Sequence, residues 1–252
     1  MTRILLHGAN GAMGKVISAL CAEDAGAEIA CGVDINTAAQ SGYPVYATME
    51  EAAGTAADVI VDFSVAKAVD PVIRFAAEHK MPLVLCTTGL SEAQLEALKE
   101  ASKETAVLRS ANMSLGVNLL EKLAAAAEKV LKDEGFDVEI VEKHHRRKVD
   151  APSGTAIALA DAVNAAADGR YVYNYGRHER HEARPADEIG ISAVRGGTIV
   201  GEHDVIFAGE DEVITISHAA YSRRIFGKGA ISAAKFLAGK PAGYYTMADL
   251  MK

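Results

Sequence analysis

Five side chains that can carry positive charge follow one another at residues 144–148: His144, His145, Arg146, Arg147 and Lys148. Imidazole and ammonium groups donate charge-assisted hydrogen bonds to anions and also transfer protons. The chain as a whole is acidic, with a net charge of −8, so this cluster is a local feature and not part of a general basic surface. These residue types indicate a site for a small anion that also needs a proton.

The sequence PSGTA at 152–156 directly follows the cluster and is typical of a helix start. Ser153 is a suitable N-cap, and free amides of Gly154 and Thr155 at such a position bind a carboxylate or a phosphate. The preceding stretch DVEIVE predicts a strand, which places the cluster on a loop at the carboxyl end of that strand. A solvated basic loop before an N-capped helix is the alternative that these residues leave open.

A second candidate site is the glycine loop HGANGAMGK, with glycines at 8, 11 and 14 between the first predicted strand and the first predicted helix. Glycines at such a loop allow a tight turn and a close approach of the backbone to a pyrophosphate, although the spacing is one residue wider than the usual fingerprint. Asp34 ends the second predicted strand, where a carboxylate can bind ribose hydroxyls. Because Asp34 repels a 2′-phosphate and Ile35 stands where an arginine would be needed, we expect NADH rather than NADPH. A purely structural turn with an Asp at a strand end is the alternative.

Strand and helix signals alternate over the first 110 residues, which predicts an α/β fold with a doubly wound, Rossmann-type parallel sheet. The segment SEAQLEALKEASKE begins with a capping box at Ser91 and Gln94. A long helix, a strand and a second helix follow, and consecutive strands with Gly turns occupy about 189–219. The second half therefore reads as an α+β domain with an antiparallel or mixed sheet.

Composition and charge exclude several classes of function. The acidic balance argues against nucleic acid or an anionic membrane as a partner, and no apolar span approaches the roughly 18 residues of a membrane helix. Cys21, Cys31 and Cys86 lack metal-type spacing and read as reduced, buried thiols of a cytoplasmic protein. His178 and His181 in RHERHEAR (177–184) do not form H-E-x-x-H, so we expect no metal site there and interpret the segment as a solvated, mobile loop.

The run from Glu142 to Thr155 matches in full the signature E-x-H-H-x-x-K-x-D-A-P-S-G-T. With it the chain resembles the 4-hydroxy-tetrahydrodipicolinate reductase (dihydrodipicolinate reductase) family of the diaminopimelate and lysine pathway. Further matching stretches span nearly the whole chain: GANGAMGK, CTTG, SANMSLGVN, RGGTIVGEHDVIF and ISHAAYSR. The resemblance implies reduction of 4-hydroxy-tetrahydrodipicolinate, a cyclic dicarboxylate, to tetrahydrodipicolinate by NADH, with NADPH as a possible substitute, in a cytoplasmic homotetramer.

The same resemblance implies domain boundaries and residue roles. It implies a dinucleotide-binding domain of 1–113 with 221–252, and a substrate-binding and oligomerisation domain of 114–220. His144 matches the acid/base and Lys148 the proton donor, whereas His145, Gly154 and Thr155 match contacts to the substrate carboxylates. The residues that match cofactor contacts are Gly8, Ala9, Asn10, Gly11, Ala12, Met13, Asp34, Cys86, Thr87, Thr88, Ser110, Ala111, Asn112 and Met113.

Two positions depart from the family pattern, since Cys86 often corresponds to Gly and Met113 to Phe. A methionine at position 113 can still pack against a ring. Which of His144 and Lys148 donates first stays open, and neighbouring positive charge is expected to lower the pKa of the group that acts.

Three rival functions are weighed against this interpretation. A homoserine-type dehydrogenase has less need for so many cations. An aspartate-semialdehyde-type enzyme requires a nucleophilic cysteine, for which Cys86 is the candidate. A non-catalytic NADH-sensing module binds the cofactor but has no use for His144 and Lys148 together.

Overall fold

The computed structural model describes residues 1–38, 42–179 and 181–252. They form two compact units, one of Met1–Ser114 with Arg223–Lys252 and the other of Leu115–Ser222. The assignment of cofactor binding to the first unit and of substrate binding to the second stays a prediction at this point.

The first unit is built on a seven-stranded sheet in the order β12-β6-β5-β4-β1-β2-β3, with parallel neighbours throughout. Its strands are β1 (Thr2–His7), β2 (Ala27–Val33), β3 (Val45–Tyr46), β4 (Val59–Asp62), β5 (Leu83–Leu85), β6 (Ala106–Arg109) and β12 (Gly243–Tyr245). The strand order reverses between β1 and β4, so the predicted doubly wound Rossmann-type arrangement is confirmed. In such sheets ligands bind at the carboxyl ends of the strands, at the point of reversal.

Helices cover both faces of this sheet. They are α1 (Ala12–Ala22), α2 (Met49–Ala52), α3 (Val69–Glu78), α4 (Glu92–Ala101), α7 (Arg224–Leu237) and α8 (Met247–Leu250), with a 3₁₀ turn at Ala66–Ala68. Side chains alternate between the faces along a strand, so Ile4 packs with α1 and α7 whereas Leu5 packs with α3 and α4. The predicted capping box at the start of α4 is confirmed, since Ser91 Oγ and the Gln94 side chain each accept the other's backbone amide proton.

The second unit contains a five-stranded mixed sheet in the order β11-β10-β7-β9-β8. Its elements are α5 (Leu115–Leu131), β7 (Asp137–His144), α6 (Gly154–Ala166), β8 (Val172–Asn174), β9 (Glu188–Arg195), β10 (Gly201–Ala208) and β11 (Val213–Ala220). Strand β9 runs parallel to β7 and β8, and β10 runs antiparallel to β7 and β11. The apolar core, with Leu120, Leu159 and Phe207, lies between this sheet and helices α5 and α6.

The sequence patterns miss five short elements, namely β3, α2, β8, β12 and α8. Each spans two to four residues, which is too short to show a helix or strand period. Within the described ranges, no helix is long and apolar enough to cross a membrane.

Candidate active site

The structure divides the basic cluster into buried and exposed members. His144 is the last residue of β7 and is 9% exposed, whereas Arg146 and Arg147 lie on the surface. His145 and Lys148 are half-buried in the turn that follows, where the Lys148 amide donates to the His145 carbonyl. The prediction that the whole cluster lies on a loop is therefore wrong for His144, which the strand itself positions.

Glu142 lies two residues before His144 on the same buried face of β7. Its carboxylate is fully buried and accepts hydrogen bonds from both terminal nitrogens of Arg195, at 2.7 and 2.6 Å. It also accepts from the Ser153 amide at 2.9 Å and contacts His144 Nδ1 at 2.6 Å. Arg195 reaches it because β9 is parallel to β7 and places Arg195 opposite His144. One carboxylate thus joins β7, β9 and the start of α6.

The charge states of Glu142 and His144 follow from their contacts. Burial raises the pKa of Glu142, but hydrogen bonds from Arg195, His144 and Ser153 outweigh burial and bring that pKa below its usual value. Burial also lowers the pKa of His144; the Glu142 carboxylate opposes this shift, and Lys148 and Arg195 add to it. Neighbouring positive charge therefore lowers the pKa of His144 as expected, but burial lowers it more.

The tautomer of His144 can be deduced from these charges. With its pKa lowered, His144 is neutral near pH 7 although it contacts a carboxylate. An ionised carboxylate only accepts hydrogen bonds, so Nδ1 of His144 carries the proton and donates to Glu142. Nε2 is left with a lone pair.

Lys148 and Gly154 share the carboxylate of Asp150. Lys148 Nζ lies 2.8 Å from Asp150 Oδ1, and the Gly154 amide donates to the same side chain. Burial raises the pKa of Asp150, but the Lys148 and backbone hydrogen bonds bring it below its usual value. The Gly154 amide thus lies beside a carboxylate of the chain itself, and its role in binding a ligand carboxylate stays a prediction.

Helix α6 begins where the sequence predicts. Ser153 is its N-cap, with Oγ accepting from the Ala156 amide at 3.1 Å, and Thr155 lies half-buried in the first turn. A Cβ added to Gly154 meets no atom within 4 Å among the described residues, so the helix start opens onto space. His145 Nδ1 is buried without a hydrogen-bond partner in the described part of the chain, and such an atom calls for a ligand or a water molecule.

The sequence reasoning gives no role to three residues of this site: Glu142, Arg195 and His203. His203 is 4% exposed, its Nε2 lies 3.0 Å from Ser153 Oγ, and its ring meets that of His144 edge to face. Burial lowers the pKa of His203 to about 4. The signal that could have found these residues is a polar side chain at an inward position of a predicted strand.

The glycine loop lies between β1 and α1, as predicted. Gly8 has a φ of +80°, and a Cβ at Gly14 would lie 2.3 Å from the carbonyl oxygens of Gly8 and Ala9. Both positions therefore require glycine. Gly11 is the N-cap of α1 and has no side chain to cap it, so this helix start suits an anion. Of the other loop residues, Ala12 is exposed, whereas Met13 is half-buried.

Asp34 follows β2 and is tied to the glycine loop. Its carboxylate accepts the Asn10 amide at 2.9 Å and the Asn36 amide at 3.0 Å. The Asn10 side chain in turn donates to the carbonyl oxygens of Asn36 and Ala38. Ile35 is fully exposed. The loop and the acidic residue thus form one connected surface at the carboxyl ends of β1 and β2.

Cys86, Thr87 and Thr88 follow β5. Burial raises the pKa of the Cys86 thiol well above its usual value, and the nearby Asp62 carboxylate adds to the shift. Since the thiolate is the nucleophile, Cys86 does not suit the rival that needs a reactive cysteine. Thr87 is buried and Thr88 is exposed, so the segment turns outward at its end. The three cysteines are free and buried, as predicted.

The segment Ser110–Met113 follows β6. Ser110 Oγ accepts the Asn112 amide proton and donates to the Asn112 carbonyl oxygen, and Ala111 is exposed. Met113 is 2% exposed and lies in the core with Ile231 of α7. Its side chain therefore packs inside the unit, and contact of segment 110–113 with a nicotinamide ring stays a prediction.

Ion pairs anchor both ends of segment 177–184. Arg177 contacts Glu139 and Glu188, and Arg184 contacts Asp137 and Glu139. These contacts correct the interpretation of the segment as a wholly solvated loop, since two of its arginines bind carboxylates at the starts of β7 and β9.

His178 and His181, between these arginines, are both exposed. Arg180, in the same segment, lies outside the described residues. Across 1–38, 42–179 and 181–252, no three His, Cys, Asp or Glu side chains are grouped so as to hold a metal ion.

Comparison with known proteins covers the whole chain. Residues 2–113 match the family model described as dihydrodipicolinate reductase, N-terminus, and residues 116–251 match the model for its C-terminus. A 4-hydroxy-tetrahydrodipicolinate reductase of Caldanaerobacter subterraneus subsp. tengcongensis is 55% identical over 100% of this chain and 99% of that protein. A protein of the same name from Staphylococcus epidermidis is 46% identical over 98% of this chain and 99% of its own length.

A solved structure shares the fold. Dipicolinate-bound dihydrodipicolinate reductase from Paenisporosarcina sp. TG-14 superposes with a TM-score of 0.82 at 23% identity, and the match covers 98% of this chain and 97% of the other. At that identity the likeness shows the architecture of the chain and no residue roles.

Proposed function

This chain belongs to the dihydrodipicolinate reductase family and catalyses the NAD(P)H-dependent reduction of 4-hydroxy-tetrahydrodipicolinate in diaminopimelate and lysine biosynthesis, and from this premise we propose how its residues share the reaction. The first unit holds the cofactor, and the second binds the dicarboxylate and supplies the proton. The observation that carries the proposal is the contact between the Glu142 carboxylate and His144 Nδ1, which holds His144 in one tautomer. Lys148 lies close enough for its charge to lower the pKa of His144.

The cofactor site of the first unit fits a dinucleotide. Gly8–Met13 would hold the pyrophosphate in a turn that requires glycine, since a side chain at Gly8 would collide with the Phe63 backbone and one at Gly14 with the loop backbone. Asp34 would bind the ribose, and segments 86–88 and 110–113 would flank the nicotinamide. NAD(P)H, when bound, supplies the hydride.

We assign NADH as the preferred cofactor. A 2′-phosphate would approach the Asp34 carboxylate, and the exposed Ile35 offers it no positive charge. One unfavourable pair of charges near the surface costs about tenfold in affinity. The ratio of kcat/KM for NADH to that for NADPH should therefore be at least about ten, and a ratio near one would contradict the assignment.

Lys148 is the group to which we assign the first proton transfer. A lysine ammonium group has three N–H donors, whereas neutral His144 has a lone pair at Nε2 and cannot donate from that atom until it takes up a proton. Loss of the 4-hydroxyl group as water leaves a carbon–carbon double bond conjugated with the ring imine. A proton on the ring nitrogen then makes carbon 4 of this conjugated system a better hydride acceptor. His144 then accepts and returns a proton at Nε2.

The substrate carboxylates are assigned to His145, Gly154 and Thr155. The buried Nδ1 of His145 and the amides at the start of α6 are hydrogen-bonding groups of the right kind. Because Asp150 accepts from Gly154, substrate binding exchanges one carboxylate for another at this amide. The same exchange removes one of the two contacts that hold Asp150 beside Lys148.

Replacing Lys148 with Ala tests the division of roles. We expect kcat to fall by about 10²-fold or more, the usual contribution of a positioned general acid, with the Kd for NADH changed less than about twofold. Lys143→Ala is the matched control, since Lys143 lies on β7, just before the turn that contains Lys148, and pairs with Glu202 and Asp204. Its kcat should stay within about twofold. Equal losses of turnover and NADH binding in Lys148→Ala would contradict the proposal.

We further propose a cytoplasmic homotetramer assembled through the sheet of the second unit. Val194, Val213 and Ile214 on this sheet are exposed apolar side chains, and β11 is an edge strand. Three free thiols suit a reducing compartment. Light scattering of the purified protein should give the mass of four chains, and a monomeric mass would contradict the assembly.

A further inference from the structure

Three neighbouring strands of the first unit end in a chain of polar side chains. His7 closes β1, Asp62 closes β4, and Thr87 lies two residues beyond β5. His7 Nδ1 lies 2.6 Å from Asp62 Oδ1, and Thr87 Oγ1 donates to Asp62 Oδ2 at 2.6 Å. The pair His7 and Asp62 therefore bridges β1 and β4, where the strand order reverses.

The main chain reinforces the same connections. The Phe63 amide donates to the His7 carbonyl at 3.0 Å, and the Cys86 amide donates to the Asp62 carbonyl at 3.0 Å. Asp62 is 0% exposed and Thr87 is 5% exposed. Asp62 thus holds the start of segment 86–88 through both its backbone and its side chain.

The directions of these hydrogen bonds restrict what each group can do. The Asp62 carboxylate accepts both contacts, so the His7 ring and the Thr87 hydroxyl each donate a proton to it. A buried carboxylate that loses one partner is strongly destabilised. Without His7, Asp62 therefore has to move or to attract other donors, and either change releases Thr87.

We propose that His7 and Asp62 are positioning residues for the nicotinamide end of the cofactor. They touch no reacting atom; they fix the backbone and the Thr87 rotamer of segment 86–88, which sets the angle and distance of hydride transfer. The inference rests on the proposed function, in which this segment flanks the nicotinamide. A cluster with a purely structural role could lie at either end of the strands. This cluster lies at their carboxyl ends, where ligands of such sheets bind.

The test compares Asp62→Asn and His7→Leu with Asp58→Asn. Asp58 accepts from the backbone and the guanidinium of Arg3 near the opposite ends of β1 and β4, so Asp58→Asn is a matched isosteric control away from the cofactor. The measurements are KM for NADH, the deuterium isotope effect on kcat with NADH labelled at C4, and the folded fraction by circular dichroism. Partial unfolding lowers the apparent kcat, because less active protein is present, but it leaves KM for NADH and the isotope effect unchanged.

For Asp62→Asn and His7→Leu we expect KM for NADH to rise about tenfold, the effect of losing a hydrogen bond to a charged group. The isotope effect should rise as well, because a misplaced nicotinamide slows the hydride step. His7→Asn should remain within about threefold of the wild type, since the Asn amide can replace the Nδ1 donor. Thr87→Val, which removes only the hydroxyl, should reproduce the change if His7→Leu does not fold.

Folded Asp62→Asn and Thr87→Val proteins with wild-type KM and isotope effect would overturn the inference. Equal shifts in Asp58→Asn would overturn it too, because they would show a general effect on the sheet. If the unmodified chain bound NADH but did not oxidise it with the substrate, the proposed function would fail, and this inference with it.

Discussion

At the scale of single residues, the chemistry depends on a carboxylate that touches no substrate. The residue types at 144–148 predict an anion site with a proton donor, since imidazole and ammonium groups are unusual side by side. Glu142 and its role are not predictable in the same way. Its partner Arg195 lies 53 residues further along the chain, and only the parallel pairing of β7 with β9 brings the two together.

Changing Glu142 to Gln should therefore impair catalysis without removing any group that contacts the substrate. The amide nitrogen of Gln would donate towards His144 Nδ1 and favour the tautomer with a proton on Nε2. We expect kcat to fall by about 10- to 100-fold, as for other supporting carboxylates. Nitrogen NMR of the His144 ring, which distinguishes the tautomers, provides the direct measurement.

Glu202→Gln is the control for this substitution. Glu202 pairs with Lys143 in a partly exposed ion pair on the neighbouring strand, and pairs of that kind contribute little. Its kcat should stay within about twofold of the wild type. A Glu142→Gln protein with the wild-type tautomer and wild-type kcat would show that the carboxylate has no positioning role.

At the scale of elements, the start of α6 is the best-predicted part of the site. Ser153 is recognisable as an N-cap because Ser, Gly and Thr precede a long apolar helix, and the structure confirms the cap. The position of Asp150 is not predictable, since it depends on how the four residues before the helix fold back. The sequence also stops β7 two residues too early, because Lys143 and His144 look like loop residues although they continue the strand.

Gly154→Val tests whether the start of α6 binds the substrate. A Cβ at this position meets no described atom within 4 Å, so the fold tolerates the side chain, which instead fills the space before the helix. We expect KM for the dicarboxylate to rise about tenfold, the loss of one charge-assisted hydrogen bond, with little change in thermal stability.

Gly54→Val in the first unit is the matched control, because an added Cβ there also meets no described atom within 4 Å. It should leave KM for the dicarboxylate unchanged. An unchanged KM in Gly154→Val as well would show that the substrate carboxylate binds elsewhere.

At the scale of the whole molecule, the two sheets differ in how far the sequence predicts them. The first sheet follows from alternating strand and helix signals, which permit few arrangements other than a doubly wound one. The mixed pairing of the second sheet depends on contacts distant in sequence, such as β7 with β9. The sequence pattern alone predicts that the sheet is antiparallel or mixed and does not decide between the two. Burial of His203 between that sheet and α6 is a further consequence of this pairing.

The stability of the protein should fall in acid partly through His203. Its pKa in the folded state is about 4, against about 6.5 for an unperturbed His. The unfolded chain therefore binds more protons between these values, and the stabilisation is present in full above about pH 6.5 and lost as the pH falls towards 4. The loss amounts to on the order of 3 kcal/mol.

Urea denaturation at pH 7 and pH 4.5 measures this loss, with His203→Gln as the comparison. Gln carries no charge at either pH, so the decrease in the free energy of unfolding should be smaller in the variant by about 2–3 kcal/mol. Equal decreases in both proteins would show that His203 titrates normally in the folded state.

The most direct test of the account is NADH absorbance with substrate generated in place from pyruvate and aspartate semialdehyde by the preceding synthase. The wild-type chain should consume NADH only when every component is present. The double variant His144→Ala, Lys148→Ala should bind NADH with wild-type affinity and consume it at least about 10³-fold more slowly. Consumption at the wild-type rate by the double variant would contradict the assignment of the proton donor, and a flat trace from an NADH-bound wild type would contradict the reductase activity itself.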